Sequence, residues 1–130
     1  MKVRDVDILR HIERYCVDIE NTVNRFGKDQ AHFDDDVDYR NSVCMSLLQV
    51  GELAGHLSEE FREATKETIY WPAIKGMRNV FAHDYGAIDY GKVWDTVTED
   101  MPILFEFCQK TIIAYDMAEP QKEQEDDMEV

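Results

Sequence analysis

Apolar residues recur every three or four positions along three long stretches of this 130-residue chain, and that spacing is the strongest constraint on its fold. It is the period of an α-helix with one buried face, and the alternation typical of a half-buried strand does not occur. The three stretches cover residues 4–26, 35–57 and 90–117. Gly27 is placed to end the first of these helices as a C-terminal cap. We therefore expect an all-α chain.

Two shorter helices are expected between the second and third stretches. Ser58 opens a short capped helix, and Pro72 suits the first position of a further helix that runs to about residue 83. Pro102 falls inside the last stretch, but the periodicity resumes at once, so we expect a kink there and not an end. The predicted fold is an up-and-down bundle of four main helices with a short extra helix.

The composition favours one domain. A chain of this length with 44% apolar residues can bury a core without disulfide bonds. We place a helical domain at residues 1–118 and an acidic, disordered tail at residues 119–130, where six acids accompany a single lysine. The three widely spaced cysteines predict reduced thiols in a cytoplasmic protein. Neither a signal peptide nor a membrane span is expected.

Two groups of acidic and histidine side chains resemble metal sites but have a structural explanation. The aspartate-rich run at 32–38 lacks the glycine and terminal glutamate of a calcium loop, and the helix dipole favours aspartates in a first turn. We interpret this run as the cap of the second helix. Glu52 and His56 lie four residues apart beside Gly51 and Gly55, which predict a close helix–helix contact. We interpret Glu52 and His56 as two side chains that satisfy each other's hydrogen bonding, and not as a metal site.

A compact polar set lies near the end of the fourth predicted helix and consists of Arg78, Asn79, His83 and Tyr85. Asn79 and His83 are four residues apart and therefore share a face. The helix is expected to end near His83, which would leave the imidazole and the Tyr85 hydroxyl at an exposed end. The guanidinium of arginine makes paired hydrogen bonds to phosphoryl oxygens, and an imidazole accepts and donates protons near neutral pH. These residue types predict a site that handles a phosphate without a metal or another cofactor.

This motif and two other stretches resemble a known family. Arg78-x4-His83-x-Tyr85 matches the R-x4-H-x-Y motif of HepT-type toxins, which belong to the HEPN ribonuclease superfamily. Residues 50–58 resemble the "IGEAA" stretch of the family's second helix, and residues 71–79 resemble its W-x-x-I-x-G-M-R-N run. The similarity spans residues 3 to 118 and implies a HEPN-like helical domain.

The resemblance implies a homodimer with a shared cleft and metal-independent endoribonuclease activity. Arg78 would bind phosphate and stabilise the charge of the transition state, His83 would act as general acid and base, and Asn79 would orient the histidine or the phosphate. In similar toxins an MntA-type nucleotidyltransferase antitoxin modifies the motif's tyrosine with AMP, and Tyr85 matches that position. The implied partners are RNA, this antitoxin and a second copy of the chain, with no membrane.

Two functions remain open. The first is a toxin endoribonuclease of a type VII-like toxin–antitoxin module; the second is a non-catalytic helical subunit that docks a nucleotidyltransferase through its Arg78–Tyr85 edge. The net charge of −14 favours the second, because nucleic-acid enzymes ordinarily carry a basic surface. The compact arginine, histidine and tyrosine set favours the first, which is our prediction. Lys75 and Arg40 are candidates for additional positive charge nearby.

Overall fold

Helices form nearly all of the chain that the structure describes, which is residues 1–83 and 85–118 of a computed structural model, without the side chain of Tyr85. No strand occurs in these ranges, so the prediction of an all-α fold is confirmed. The predicted tail at residues 119–130 lies outside the described residues. The α-helices are α1 (Val3–Phe26), α2 (Gln30–Asp35), α3 (Val37–His56), α4 (Glu59–Thr65), α5 (Trp71–His83), α6 (Tyr90–Asp95) and α7 (Met101–Ala118).

The four main helices pack side by side around one core. The helix α3 lies between α1 and α5, and α1 also packs against α7. Each of them turns an apolar face inward, with Leu9 from α1, Leu47 from α3, Leu104 from α7 and Ile74 and Phe81 from α5 all buried. Burial of such faces is the main force that stabilises helices of this length. This packing is the bundle that the sequence predicted.

Capping residues close the helix ends, and the predicted caps at Gly27 and Ser58 are among them. Gly27 closes α1 with a positive φ of 105° and donates its N–H to the carbonyl of Val23. At the starts of α3, α4 and α6, the side chains of Asp36, Ser58 and Asp89 accept hydrogen bonds from backbone N–H groups of the first turn. The interpretation of the aspartate-rich run as a helix cap is confirmed for Asp36.

One short helix, α2, was not predicted. Asp29 caps it by accepting a hydrogen bond from the N–H of Ala31. Phe33 anchors it, because this side chain is fully buried, with its ring centroid 5.1 Å from that of Tyr39 and 5.3 Å from that of Trp94. A single apolar anchor produces no periodicity, which explains why the pattern of residues 30–35 did not predict a helix.

The predicted last helix is continuous but contains a wide turn. The residues Thr96–Asp100 between α6 and α7 form a π-helical turn, in which the N–H of Met101 reaches back to the carbonyl of Thr96. Pro102 directly follows this turn and does not end the helix, as expected. The proline ring removes a helical donor, and here it does so beside a turn where regular α-helical bonding is already interrupted.

The buried carboxylate of Asp5 ties the start of the chain to its middle. Its side chain is only 2% exposed and accepts two hydrogen bonds from Ser58, one from the backbone N–H at 2.8 Å and one from the hydroxyl at 2.7 Å. The first turn of α1 is thereby fixed against the junction of α3 and α4. Across the described residues, no helix combines the length and apolar character needed to cross a membrane.

Candidate active site

The close approach of α3 and α5 at Gly51 determines where the polar motif lies. A Cβ atom at Gly51 would stand 2.6 Å from the backbone nitrogen of Arg78 and 3.1 Å from the carbonyl oxygen of Ile74. Only a residue without a side chain permits this backbone contact. At Gly55 a Cβ would meet Lys75 Cγ at 3.7 Å, which is an ordinary contact. The predicted close packing at the two glycines is therefore concentrated at Gly51.

The guanidinium of Arg78 is held by a carboxylate of the neighbouring helix. Its Nε lies 3.0 Å from Oε2 of Glu52, and its Nη1 donates to Oδ1 of Asn79 at 3.3 Å. The other carboxylate oxygen of Glu52 lies 3.3 Å from Nε2 of His56. The predicted Glu52–His56 pair is thus present, but it is part of a larger network that includes Arg78. These side chains are about half exposed, so the ion pairs are screened by water.

A groove between α3 and α5 contains this network. It has a volume of ≈ 490 Å³, and glycine backbone from both helices forms part of its lining. Lys75 of α5 adds a second cation to the groove, as the sequence suggested. Arg40 does not contribute to it, because its guanidinium lies over the ring of Tyr90 at 4.9 Å and its Nη1 donates to the carbonyl of Asp34. The lining residues are Gly51, Glu52, Gly55, His56, Pro72, Lys75, Gly76, Arg78 and Asn79.

His83 is the last residue of α5 and is exposed, which agrees with the expected end of the helix. It lies one turn beyond Asn79 on the same face of α5 and outside the set of residues that line the groove. Tyr85 begins a short 3₁₀ turn, Tyr85–Ala87, and the predictions for its hydroxyl lie outside the described residues. The structure therefore brings Arg78 and Asn79 into direct contact and leaves His83 at the adjoining open helix end.

The buried thiols lie elsewhere and are poor nucleophiles. Burial, assisted by the charge of Glu13, raises the pKa of Cys16 to about 12. Burial also raises the pKa of Cys44 to about 11, although Arg40 acts in the opposite direction. Burial, with smaller contributions from Cys16 and Glu13, raises the pKa of Cys108 as well. All three cysteines are unpaired, and within residues 1–83 and 85–118 no group of three or more acidic, histidine and cysteine side chains is arranged to hold a metal ion.

The sequence did not predict the contact between Glu52 and Arg78. The two residues are far apart in the chain, and the periodicity of each helix leaves the rotation of α3 against α5 undetermined. Gly51 provided an indirect signal, because a glycine inside a helix marks a close contact and places its neighbour Glu52 at the edge of that contact. Packing residues 50–58 of α3 against residues 71–79 of α5, with Gly51 at the contact, would have placed Glu52 near Arg78.

Comparison with known proteins identifies the family of the chain. A family model described as "Ribonuclease HepT-like" matches residues 9–111, which is most of the chain. The chain belongs to the HepT-like ribonuclease family. It is 30% identical over 102 residues to "Putative RNase MJ1380" of Methanocaldococcus jannaschii, covering 72% of this chain and 89% of that protein. It is also 30% identical over 96 residues to "Putative RNase TTE0752" of Caldanaerobacter subterraneus subsp. tengcongensis, covering 74% of this chain and 83% of that protein. No solved structure matches it significantly.

Proposed function

We propose that this protein is the toxin of a toxin–antitoxin module and acts as a metal-independent endoribonuclease. The observation that carries the proposal is the exposed polar face of α5, where Arg78 and Asn79 meet in the groove and His83 stands one turn further on. Membership of the HepT-like ribonuclease family supports RNA as the substrate. Such a site needs no metal, because RNA carries its own nucleophile in the 2′-hydroxyl next to each phosphate.

The chemistry is an attack of that 2′-hydroxyl on the adjacent phosphorus. His83 accepts the proton of the hydroxyl, and an imidazolium returns a proton to the leaving 5′-oxygen. The guanidinium of Arg78 compensates the charge that grows on the phosphoryl oxygens, and Asn79 orients the guanidinium that it contacts. The bond to the 5′-oxygen breaks as the bond to the 2′-oxygen forms. The products are a 2′,3′-cyclic phosphate and a 5′-hydroxyl.

One imidazole cannot easily serve both sides of an in-line displacement, so we propose that two copies of the chain share a cleft. A two-fold axis beside α5 would bring a second motif opposite the first, and two-fold dimers are the commonest assemblies. Val80 supports this arrangement, because it is 42% exposed on α5 between the residues of the motif. Light scattering during size-exclusion chromatography tests the dimer, and Val80→Glu is expected to convert it to a monomer.

Regulation by a nucleotidyltransferase antitoxin completes the proposal. Addition of AMP to Tyr85 would place a bulky anion two residues beyond His83, where it repels and obstructs an RNA phosphate. This proposal supplies a reason for a tyrosine at the end of the motif. It also means that purified protein must be checked by intact mass before an activity assay, since a modified tyrosine would silence the enzyme.

The decisive experiment is cleavage of total cellular RNA by the unmodified protein in the presence of EDTA. Wild-type protein is compared with Arg78→Ala and His83→Ala, and Arg25→Ala and His11→Ala serve as matched controls because both residues are exposed on α1. We expect cleavage by the wild type and both controls, with cyclic phosphate ends. Absence of cleavage by unmodified wild type, or full cleavage by both motif variants, would refute the enzymatic role.

The acidity of the chain favours a second candidate, a non-catalytic subunit that docks a nucleotidyltransferase. A net charge of −14 opposes extended binding to RNA. Growth distinguishes the two functions when the protein is expressed without its partner. We expect wild type to arrest growth and His83→Ala to permit it at equal levels of folded protein. Equal growth with both proteins would favour the docking subunit.

A further inference from the structure

One carboxylate contacts two nitrogen-bearing side chains in the groove between α3 and α5. Oε2 of Glu52 pairs with Nε of Arg78 at 3.0 Å, and Oε1 of Glu52 lies 3.3 Å from Nε2 of His56. The pairing with Arg78 persists at any pH where glutamate is ionised, because arginine stays protonated. The pairing with His56 gains an ionic component only when the imidazole takes up a proton. The carboxylate of Glu52 therefore attracts Arg78 more strongly when His56 is neutral than when His56 is protonated.

We propose that His56 sets how strongly this groove holds a phosphodiester, through the carboxylate that it shares with Arg78. This inference rests on the proposed function, in which Arg78 binds a phosphate of RNA. With neutral His56, Glu52 directs its charge toward Arg78 and competes with the phosphate for the guanidinium. When His56 is protonated, its positive charge partly neutralises Glu52, and the guanidinium of Arg78 is more available to the phosphate. His56 is thus a positioning residue that acts through Glu52.

The location of His56 suits this role. Its side chain is 56% exposed, so it exchanges protons with solvent, and it lines the same groove as Arg78 and Lys75. It is also the last residue of α3, where the negative end of the helix dipole favours a positive charge. Imidazoles change charge between about pH 5 and pH 8, which makes a histidine the side chain suited to such a change near neutrality.

Other charged groups surround His56 on the elements packed near it. Lys75 and Arg78 face it from α5, and Arg62 of α4 donates to the carbonyls of Ala54, Gly55 and Leu57 at the end of α3. The acids on the elements near His56 include Glu52 on α3, Glu59, Glu60 and Glu63 on α4, and Asp5 of α1, which is bonded to Ser58. Protonation of His56 adds one positive charge to the groove. A unit charge about 6 Å from a phosphate in water changes its affinity by about threefold, and by up to about tenfold where the groove excludes part of the solvent.

The test measures binding without cleavage. The probe is a fluorescent single-stranded oligouridylate, whose bases do not titrate in the range used, and the protein carries His83→Ala so that neither cleavage nor this histidine contributes. Anisotropy gives the dissociation constant from pH 8.0 to pH 6.0 at constant ionic strength. We expect the affinity to rise by about threefold to tenfold as the pH falls. The additional substitution His56→Gln should leave the affinity nearly constant with pH.

A matched control comes from the other end of the bundle. His32 and Asp36 form a second histidine–carboxylate pair, four residues apart and 3.6 Å between Nε2 and Oδ2, far along the chain from the groove. The substitution His32→Gln in the His83→Ala protein should preserve the full rise in affinity. If His56→Gln also preserves it, the inference is wrong while the proposed function stands. If the oligonucleotide fails to bind at every pH, the inference and the proposed function are both refuted.

Glu52→Gln provides an independent measurement. This change keeps the size of the side chain and removes its charge, so Arg78 should bind the oligouridylate more tightly even at pH 8.0, again by about threefold to tenfold. Because all three side chains are substantially exposed, circular dichroism should show an unchanged fold. Weaker binding by the folded Glu52→Gln protein would overturn the inference, since it would mean that the carboxylate assists Arg78 more than it competes for it.

Discussion

Gly51 and Arg78 touch backbone to backbone: a Cβ atom at Gly51 would lie 2.6 Å from the main-chain nitrogen of Arg78. Real Cβ atoms do not approach another heavy atom so closely, so the contact requires glycine. It places the start of the Arg78 side chain directly over α3, within reach of the carboxylate of Glu52. The helix contact that stabilises the bundle therefore also presents the arginine of the candidate site.

Substitution of the two groove glycines on α3 tests this contact. Gly51→Ala is expected to lower the free energy of unfolding by about 1–3 kcal/mol, because α3 and α5 must separate to admit the methyl group. Gly55→Ala is the matched control, since its Cβ finds an ordinary 3.7 Å contact with Lys75 and alanine is the better helix former. Urea unfolding followed by circular dichroism measures both variants. Equal stability of the two variants would show that the helices do not meet at Gly51.

The Asp5–Ser58 contact predicts a second effect on stability. Asp5→Ala should destabilise the fold by about 1–3 kcal/mol, because the partly buried N–H and hydroxyl of Ser58 lose their acceptor. Ser58→Ala should cost about 0.5–2 kcal/mol, because it removes both the hydroxyl bond to Asp5 and the cap of α4. A double-mutant cycle analysed from urea melts should give strong coupling between the two sites. Additive effects would contradict the direct bond.

The thiols provide a prediction that depends on pH. Burial raises the pKa of Cys16 to about 12 and that of Cys44 to about 11, so both stay protonated and unreactive at pH 8 in the folded protein. Iodoacetamide should modify the three cysteines only in urea, as intact mass will show. Because the folded pKa values lie above those of the unfolded chain, their contribution to stability is complete below about pH 8.5 and is lost as the pH rises further. Rapid alkylation of Cys16 or Cys44 without denaturant would contradict the buried positions.

Replacement of Arg78 by lysine separates charge from shape. Lysine keeps the positive charge but lacks the planar fork that binds two phosphoryl oxygens and the Nη1 that meets Asn79. We expect Arg78→Lys to lower kcat/KM for an oligoribonucleotide by about 10- to 100-fold and Arg78→Ala by about 100- to 1,000-fold. Arg25→Lys on α1 is the control and should be neutral. Full activity of Arg78→Lys would mean that charge alone matters at this position.

We expect the proposed modification to occur at one tyrosine, Tyr85. Incubation with ATP, Mg²⁺ and the proposed nucleotidyltransferase partner should raise the mass of the protein by one AMP, and the modified protein should no longer cleave RNA. Tyr85→Phe should remain unmodified. Tyr70 is 72% exposed near the start of α5, so Tyr70→Phe tests whether exposure alone directs the reaction and should still be modified. Modification of the Tyr85→Phe protein would refute the assignment.

Periodicity predicted the long helices well because each buries one continuous apolar face. The expected first helix at residues 4–26 is found at Val3–Phe26, and the expected second helix at residues 35–57 is found at Val37–His56. The helix predicted to start at Pro72 begins at Trp71. Features that depend on a single contact were missed, such as α2, which is held by Phe33.

The sequence predicted individual residues of the candidate site but not the contact between helices that joins them. The motif placed Arg78, Asn79 and His83 on one helix, and the structure agrees with that placement. The pairing of Arg78 with Glu52 was not predicted, because it depends on how α3 and α5 are rotated against each other at the backbone contact. The positive contribution of Lys75 was expected and is present, whereas that of Arg40 is absent because this side chain belongs to the aromatic cluster around Tyr90.

The wide turn at Thr96–Asp100 has a consequence for how related sequences can differ in length. A π turn contains one residue more than the α-helical turn that it replaces, and the apolar faces of α6 and α7 nevertheless point into the same core, with Trp94 and Met101 both buried. Deletion of one residue here would leave an unbroken α-helix with both faces still in phase. The chain can therefore gain or lose a single residue at this point during evolution, and an alignment of the family should allow a one-residue gap between Thr96 and Asp100.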